Sequence, residues 1–429
     1  MEENEPMGKI VGEILMRKKT ILLILTVVVV SYMVTSVGFW LVENSFSIAG
    51  RIFLYDSHQK LLEGKGAAPN QYRYIPYPLV EYFFKYIPLR WYCNTYIKLE
   101  RWLGFDKRSF VQKENELNLN AHISPEEREK VAEQLEIFLK EKLLEVTENP
   151  LASNLLINVV NNFGWKEWIK DPFPFLEQFF RQMPDNITDI FDKNSNLSKV
   201  VNGYATMRFV FTIVILSVLY LWMKTFTNDF VSYISILVYS IFLAFAYGDF
   251  AQQEFLISLS FFTAGLLLIC QKKPWWVLLL LISVQSFART DHALFMAIIY
   301  SLYNFSLSRK KLVVHGLMIL VPVLVTYLLA NVFFPNAVYY TLPVILEENL
   351  QDPWAVVYPL IFFALPLFFI NKIKEYEFYR KTWLWMIPFL LLNITMGAAR
   401  EVRLFLPLIT YLFPLLLNGI FSLYNTNEN

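Results

Sequence analysis

Apolar residues in this chain fall in long unbroken runs rather than in strict alternation, and short polar loops separate them. The longest runs cover residues 21–42, 207–223, 230–247, 255–270, 312–334, 355–370 and 404–424. A helix needs about 20 consecutive apolar residues to cross the hydrocarbon core of a bilayer. Three shorter runs, 275–287, 292–307 and 383–396, complete a set of ten. The pattern predicts an all-α polytopic membrane protein of about 10 transmembrane helices, with one large helical loop region after the first.

Positive charge sorts the loops between the two sides. Lys9, Arg17, Lys18, Lys19, Lys224, Lys272, Lys273, Arg309, Lys310, Lys311, Lys372, Lys374, Arg380 and Lys381 fall at one set of helix ends. The opposite short loops hold only Arg289, Arg400 and Arg403. Basic residues collect on the cytoplasmic side, so both termini are expected there. The resulting order is a cytoplasmic tail 1–19, a first transmembrane helix 20–42 and an external helical region 43–206. A bundle of about nine helices follows over 207–424, then a short cytoplasmic tail 425–429. The first run is longer than a signal-peptide core and is read as a retained anchor.

Composition agrees. The chain is 55% hydrophobic and only 17% charged, below the quarter or so of a typical soluble domain. A net charge of +1 with no basic stripe gives no reason to expect nucleic acid. Two cysteines, Cys93 and Cys270, cannot build a disulfide framework and are expected as packing residues. There is no Walker A loop, no dinucleotide-binding glycine motif, no His-Glu-x-x-His and no zinc spacing.

The external region carries its own helical signals. Ser124-Pro125-Glu126-Glu127 reads as an N-cap with Pro at the first helical position, ahead of an amphipathic helix through Val146. An aromatic stretch over 163–180 suits either a membrane-surface segment or a small helical core. Asn186-Ile187-Thr188 and Asn196-Leu197-Ser198 match the glycosylation pattern.

Charges without an obvious structural role gather on the non-cytoplasmic side: Asp56, Arg73, Asp249, Glu254, Arg289, Asp291, Arg400, Glu401 and Arg403. Charge near hydrocarbon is costly, so the clustering points to an outward-facing polar site. Four stretches carry a family likeness. They are Tyr55-Asp56-Ser57-His58 leading through Gln71-Tyr72-Arg73-Tyr74-Ile75-Pro76-Tyr77-Pro78, then Gly248-Asp249-Phe250-Ala251-Gln252-Gln253-Glu254, Ala288-Arg289-Thr290-Asp291, and Arg400-Glu401-Val402-Arg403-Leu404-Phe405-Leu406-Pro407-Leu408. Together they resemble the GT-C superfamily of polytopic glycosyltransferases, closest to the bacterial mannosyltransferase-like branch that uses polyprenyl-phosphate sugars.

The resemblance implies a GT-C-like fold and a multi-pass protein of the bacterial cytoplasmic membrane, with an extracytoplasmic active site. It implies a polyprenyl-phosphate-sugar donor, a glycan, lipid or protein acceptor, and an inverting transfer. A divalent cation is left open, since Asp56 lacks the adjacent acid of metal-dependent members, and no metal ligands are assigned. The chemistry needs a carboxylate to take the acceptor's proton, with Asp56 the candidate in a short helix that it begins and a glycine ends. Guanidinium forks suit the departing phosphate, with Arg73, Arg289, Arg400 and Arg403 the candidates for substrate binding. Arg400 and Arg403 would share a helix face, and Glu401 would orient one of them or bind sugar hydroxyls. Simpler roles stand beside these: Asp56 as an N-cap, Arg400 and Arg403 as headgroup anchors, Arg289 with Asp291 as a local ion pair, and Asp249 and Glu254 as caps. His58 and His292 lie near acids without metal-site spacing, and Glu347 and Glu348 read as solvated. A lipid-glycan flippase, an O-antigen ligase or polymerase, and a receptor or scaffold are the competing functions.

Overall fold

The computed structural model describes residues 5–66, 68, 70–87, 196–246, 254–337, 349–351, 374–397 and 401–425; within the first helix, side chains are described for 17–36 and 54–62. The helix expected after Ser124, the aromatic stretch 163–180, the apolar run 355–370, the sequon at Asn186, and Cys93, Asp249, Glu347, Glu348 and Arg400 lie outside these residues.

Every regular element among them is helical: α1 (Glu5–Leu62), α2 (Pro76–Tyr82), α3 (Asn196–Lys224), α4 (Asp229–Phe245), α5 (Phe255–Cys270) and α6 (Trp275–Ala288). Then come α7 (Thr290–Tyr303), α8 (Arg309–Leu328), α9 (Glu377–Thr382), α10 (Met386–Met396) and α11 (Val402–Asn425). Four helical stretches are long and apolar enough to cross a membrane: Arg17–Ser36, Asn196–Lys224, Arg309–Phe333 and Arg403–Ser422. Asp229–Ala244, Phe255–Cys270 and Trp275–Ala288 are apolar but shorter; sixteen residues give about 24 Å, against a core of about 30 Å. The chain is therefore an all-α membrane protein. Four of the ten expected spans meet the length and composition of a crossing helix among the described residues.

The chain divides into two compact units, one of Met1–Glu43, Ser57–Ile87 and Gly203–Asn429, the other of Asn44–Asp56 and Pro88–Asn202. In the second unit, the Asn196 amide of the second sequon donates to the Tyr55 hydroxyl at 3.1 Å.

One expected boundary moves. No helix begins at Asp56: α1 runs through it without a break to Leu62. The stretch from 43 to 56 holds no proline and a single glycine, and one glycine costs a helix only about 1 kcal/mol. Asp56 therefore sits inside the last two turns and is not an N-cap. The stop is the expected glycine. Gly64 adopts a φ of 74°, Lys65 N–H donates to the Lys60 carbonyl at 2.8 Å and Gly64 N–H to the Leu61 carbonyl at 3.3 Å. That pair of bonds is a Schellman cap, which needs a left-handed residue where glycine meets no Cβ penalty. At the other end of the external region, α3 runs unbroken from Asn196 into its apolar run.

In the first unit, α11 is the central helix and α1 and α8 are peripheral. The apolar window of α11 is 78% buried, against 22% for α1 and 28% for α8. Exposed Ile21, Leu25, Val29 and Met33 on α1, with Val313, Leu320 and Val323 on α8, are the lipid-facing stripes of such helices. Helix α11 carries Pro407 and Pro414 inside it. A proline removes the bond to the carbonyl four residues back, and hydrocarbon offers no substitute. The Thr410 carbonyl released by Pro414 accepts instead from the Trp222 indole N–H of α3 at 3.1 Å. The Tyr411 carbonyl accepts from the Tyr379 hydroxyl at 2.8 Å. These bonds lie in an aromatic core of Trp222, Phe378, Tyr379, Trp385 and Tyr411.

Helices α5, α6 and α7 run back and forth, which sorts their charges to two ends. At one end Lys272 pairs with Glu377 at 3.7 Å, and Lys272 and Lys381 both stand over the Tyr303 ring. These groups are mostly exposed. At the other end lie Glu254, Arg289 and His292, all enclosed. The two ends of one bundle thus differ in kind.

Candidate functional site

The enclosed end is assembled from four separate stretches of the first unit. Arg73 comes from the segment between α1 and α2, Glu254 from the start of α5, Arg289 and Asp291 from the α6–α7 junction, and Glu401 and Arg403 from the entry to α11.

Local bonds explain how the first stretch reaches the bundle. Gly66 N–H donates to Gln71 Oε1 at 2.7 Å, and Gln71 Nε2 donates to the Leu61 carbonyl at 2.9 Å. The chain is thereby folded back on the end of α1. Tyr72 then donates to the Ala337 carbonyl at 3.3 Å, Tyr74 stacks near Phe334 at 5.4 Å, and Ile75 N–H reaches the Phe287 carbonyl at 3.4 Å. Arg73 is carried between these anchors to Glu254, where Nη1 meets Oε1 at 2.8 Å. Glu254 is completely enclosed. Its side chain does not cap α5, so the capping role expected from the sequence is replaced by this long-range ion pair.

At the α6–α7 junction Arg289 is extended, with φ −153° and ψ 107°, and ends α6 while α7 begins at the next residue. Its guanidinium holds Asp291 by two donors, Nε to Oδ1 at 3.1 Å and Nη2 to Oδ2 at 2.5 Å. The helix dipoles favour this arrangement, with a cation at the carboxyl end of α6 and an anion in the first turn of α7. The local ion pair is present. It is also part of a larger group, because Arg289 lies within electrostatic reach of Glu254 and Arg403, and Asp291 within reach of Arg73.

Arg403 is 4% exposed and gives both Nε (3.1 Å) and Nη2 (2.7 Å) to one Glu401 oxygen. Glu401 orients this arginine, as the sequence suggested. Helix α11 begins at Val402, and Arg400, expected to share a face with Arg403, lies outside the described residues. Asp56 belongs to the second unit, whereas all the pairs above belong to the first.

Beneath the ion pairs is a neutral polar layer. Gln285 Nε2 donates to Ser258 Oγ at 2.7 Å, and Ser258 Oγ meets His292 Nδ1 at 2.6 Å. Beside it is a second network. His58, with no exposure, bridges the Tyr204 hydroxyl (Nδ1, 2.8 Å) and Glu81 (Nε2, 3.1 Å), and Lys85 pairs with the other Glu81 oxygen. A carboxylate only accepts, so Nε2 carries the hydrogen and Nδ1 accepts from Tyr204. Burial pushes His58 below its usual value despite the hydrogen bond it donates to Glu81. Burial alone would raise Glu81, but Lys85 and His58 outweigh it and hold the carboxyl below its usual range.

Arg208, Tyr204, Glu81 and Lys85 escaped the sequence reading. Arg208 had a signal: it lies inside an apolar run, is 1% exposed, and shares the surroundings of Tyr204 with Glu254. Charge in such a run is a functional hypothesis by default. Glu81 and Lys85 had only helical spacing, which is common on surfaces. Arg73, Arg289 and Arg403 each hold an acid, Glu254, Asp291 and Glu401 in turn. No three His, Cys, Asp or Glu side chains among the described residues converge as a metal site would require.

The chain matches no family model, no curated protein and no solved structure. Fold and site define its class, an all-α membrane protein with an enclosed arginine–carboxylate cluster at one end of its bundle.

Proposed function

We propose that this protein is a membrane glycosyltransferase that moves one sugar from a polyprenyl-phosphate carrier to a glycan, lipid or protein acceptor outside the cytoplasm. The observation that supports the reading most is the convergence of Arg73, Arg289 and Arg403 from distant stretches onto one enclosed end of the bundle. In the proposed arrangement ten spans place both termini in the cytoplasm and the arginine end on the outside, as the lysines at the opposite end favour.

The acceptor oxygen attacks C1 of the sugar, the C1–O bond to phosphate breaks, and polyprenyl phosphate leaves with the electron pair. The phosphate is stable as an anion and needs cations rather than a strong acid. The carboxylates that lock each guanidinium hold its donors in place before substrate arrives, and such preorganised charge is where most electrostatic stabilisation originates. Asp56, in the last two turns of α1, is the candidate to receive the acceptor's proton. Rim placement of the charges favours this reading over a flippase, which calls for charge at the midplane.

The test is transfer in proteoliposomes with labelled polyprenyl-phosphate sugars. Wild type is expected to transfer, and Arg289→Gln to fall by roughly 100-fold, the scale of losing one transition-state donor. Absence of transfer from every donor in the wild type overturns the proposal. Asp56→Asn run alongside decides the role of that carboxylate.

A further inference from the structure

Arg289 Nη1, His292 Nε2, Glu254 Oε2 and Gln285 Oε1 are among the polar atoms at the enclosed end that have no hydrogen-bond partner among the described residues. Their residues are 3%, 2%, 0% and 0% exposed, so bulk water does not reach them. They are close neighbours. Ser258 bridges Gln285 and His292, and lies one turn beyond Glu254, whose carbonyl its N–H reaches at 2.9 Å. Asp291 Oδ2 stands 2.5 Å from Arg289 Nη2 and 3.9 Å from His292 Nε2. Arg289 N–H closes onto the Gln285 carbonyl at 2.8 Å.

The chemistry of the four is mixed. Ser258 accepts from the Gln285 amide, and because His292 Nε2 faces the Asp291 carboxylate at 3.9 Å the imidazole hydrogen is assigned to Nε2, leaving Nδ1 to accept from Ser258. Two of the atoms are therefore donors, on Arg289 and His292, and two are acceptors, on Glu254 and Gln285. A phosphate offers acceptors only and would leave the two oxygens facing it. A cation would leave the two donors facing it. A hydroxyl both donates and accepts, so adjacent hydroxyls on one ring match both kinds.

We propose that Glu254, Gln285 and His292, together with the Nη1 edge of Arg289, form a recognition site for the hydroxyls of a pyranose ring, adjoining the groups that hold phosphate. It rests on the transferase reading for which sugar arrives there, the one on the donor lipid or the one on the acceptor.

The test follows tryptophan-fluorescence melting of the purified full-length chain in detergent with three kinds of ligand. These are polyprenyl phosphate, polyprenyl-phosphate mannose or glucose, and the methyl glycosides of the same sugars. Wild type is expected to gain more from a sugar-bearing ligand than from polyprenyl phosphate. A gain limited to the lipid-linked sugars places the donor sugar here; a gain with methyl glycosides places the acceptor sugar. Gln285→Met is expected to raise the sugar concentration needed for the same gain roughly 10-fold, the loss of about one buried hydrogen bond, while the response to polyprenyl phosphate stays. His292→Asn serves where Gln285→Met fails to fold. Equal melting with and without sugar means that bound water alone satisfies these atoms, and the site is overturned even where polyprenyl phosphate binds. Failure of polyprenyl phosphate to bind sinks the transferase reading instead.

Discussion

A guanidinium taken out of water is costly unless a carboxylate accompanies it, and removing the partner of a buried pair costs more than the pair itself contributes. Arg289 is 3% exposed and Asp291 27% exposed. Asp291→Asn is therefore expected to destabilise the protein by about 3 kcal/mol, the low end for a buried pair because Asp291 keeps some solvent. Replacing both residues, as Arg289→Met with Asp291→Leu, should recover most of that loss. Thermal unfolding in detergent measures both, and an Asp291→Asn protein as stable as wild type would show that the pair carries no weight. The exposed Lys272–Glu377 pair is the contrast, since such contacts contribute little. At this scale the sequence identified Arg73, Arg289, Glu401 and Arg403 as residues to watch. It did not reveal that Arg73 pairs with Glu254, because that bond joins positions 181 apart, and no local pattern encodes such a partner. Glu254 read as a cap for the same reason.

Among the elements, the end of α1, helix α2 and the outer part of α3 are joined by His58. Gly203 permits the approach, since a Cβ there would stand 2.9 Å from the Lys85 backbone nitrogen. The groups around the imidazole are Tyr77, Tyr204, Glu81 and, through Glu81, Lys85. His58 and Glu81 are both shifted down, so the folded chain binds fewer protons than the unfolded one at acid pH. The contribution of His58 is complete above about pH 6.5 and declines as pH falls from there towards its lower folded value. That of Glu81 follows below about pH 4.3. Amide exchange in α2 is expected to quicken from pH 7.5 to pH 5 beyond the intrinsic rate change, and this excess should shrink in His58→Gln. An identical excess in the variant would remove His58 from the latch. Periodicity and capping made most helices legible. The unbroken course of α1 was not, because Asp56 and Ser57 look like a start, yet nothing before them stops the helix.

For the molecule as a whole, hydropathy and charge described a bundle with two unlike ends, and the structure has two unlike ends. The lysine end is open and the arginine end enclosed. The proposed orientation puts the arginine end outside. In a cysteine-free background, Glu63→Cys should react with an impermeant maleimide in intact cells, and Ser308→Cys only after permeabilisation. Labelling in the opposite order would invert the topology and place the cluster in the cytoplasm.

Class was determined by the sequence itself, because the cost of burying polar backbone or charge in hydrocarbon acts on each segment separately and leaves a local mark. Helical stretches, their glycine stop at Gly64 and the candidate arginines were all visible on that basis. Which charge meets which was decided only by tertiary structure. The pairing of Arg73 with Glu254, the rescue of the Thr410 carbonyl by Trp222, and the enclosed polar atoms around Ser258 depend on the approach of distant helices. Side-chain reach across a packed interface leaves no trace in the order of residues along the chain.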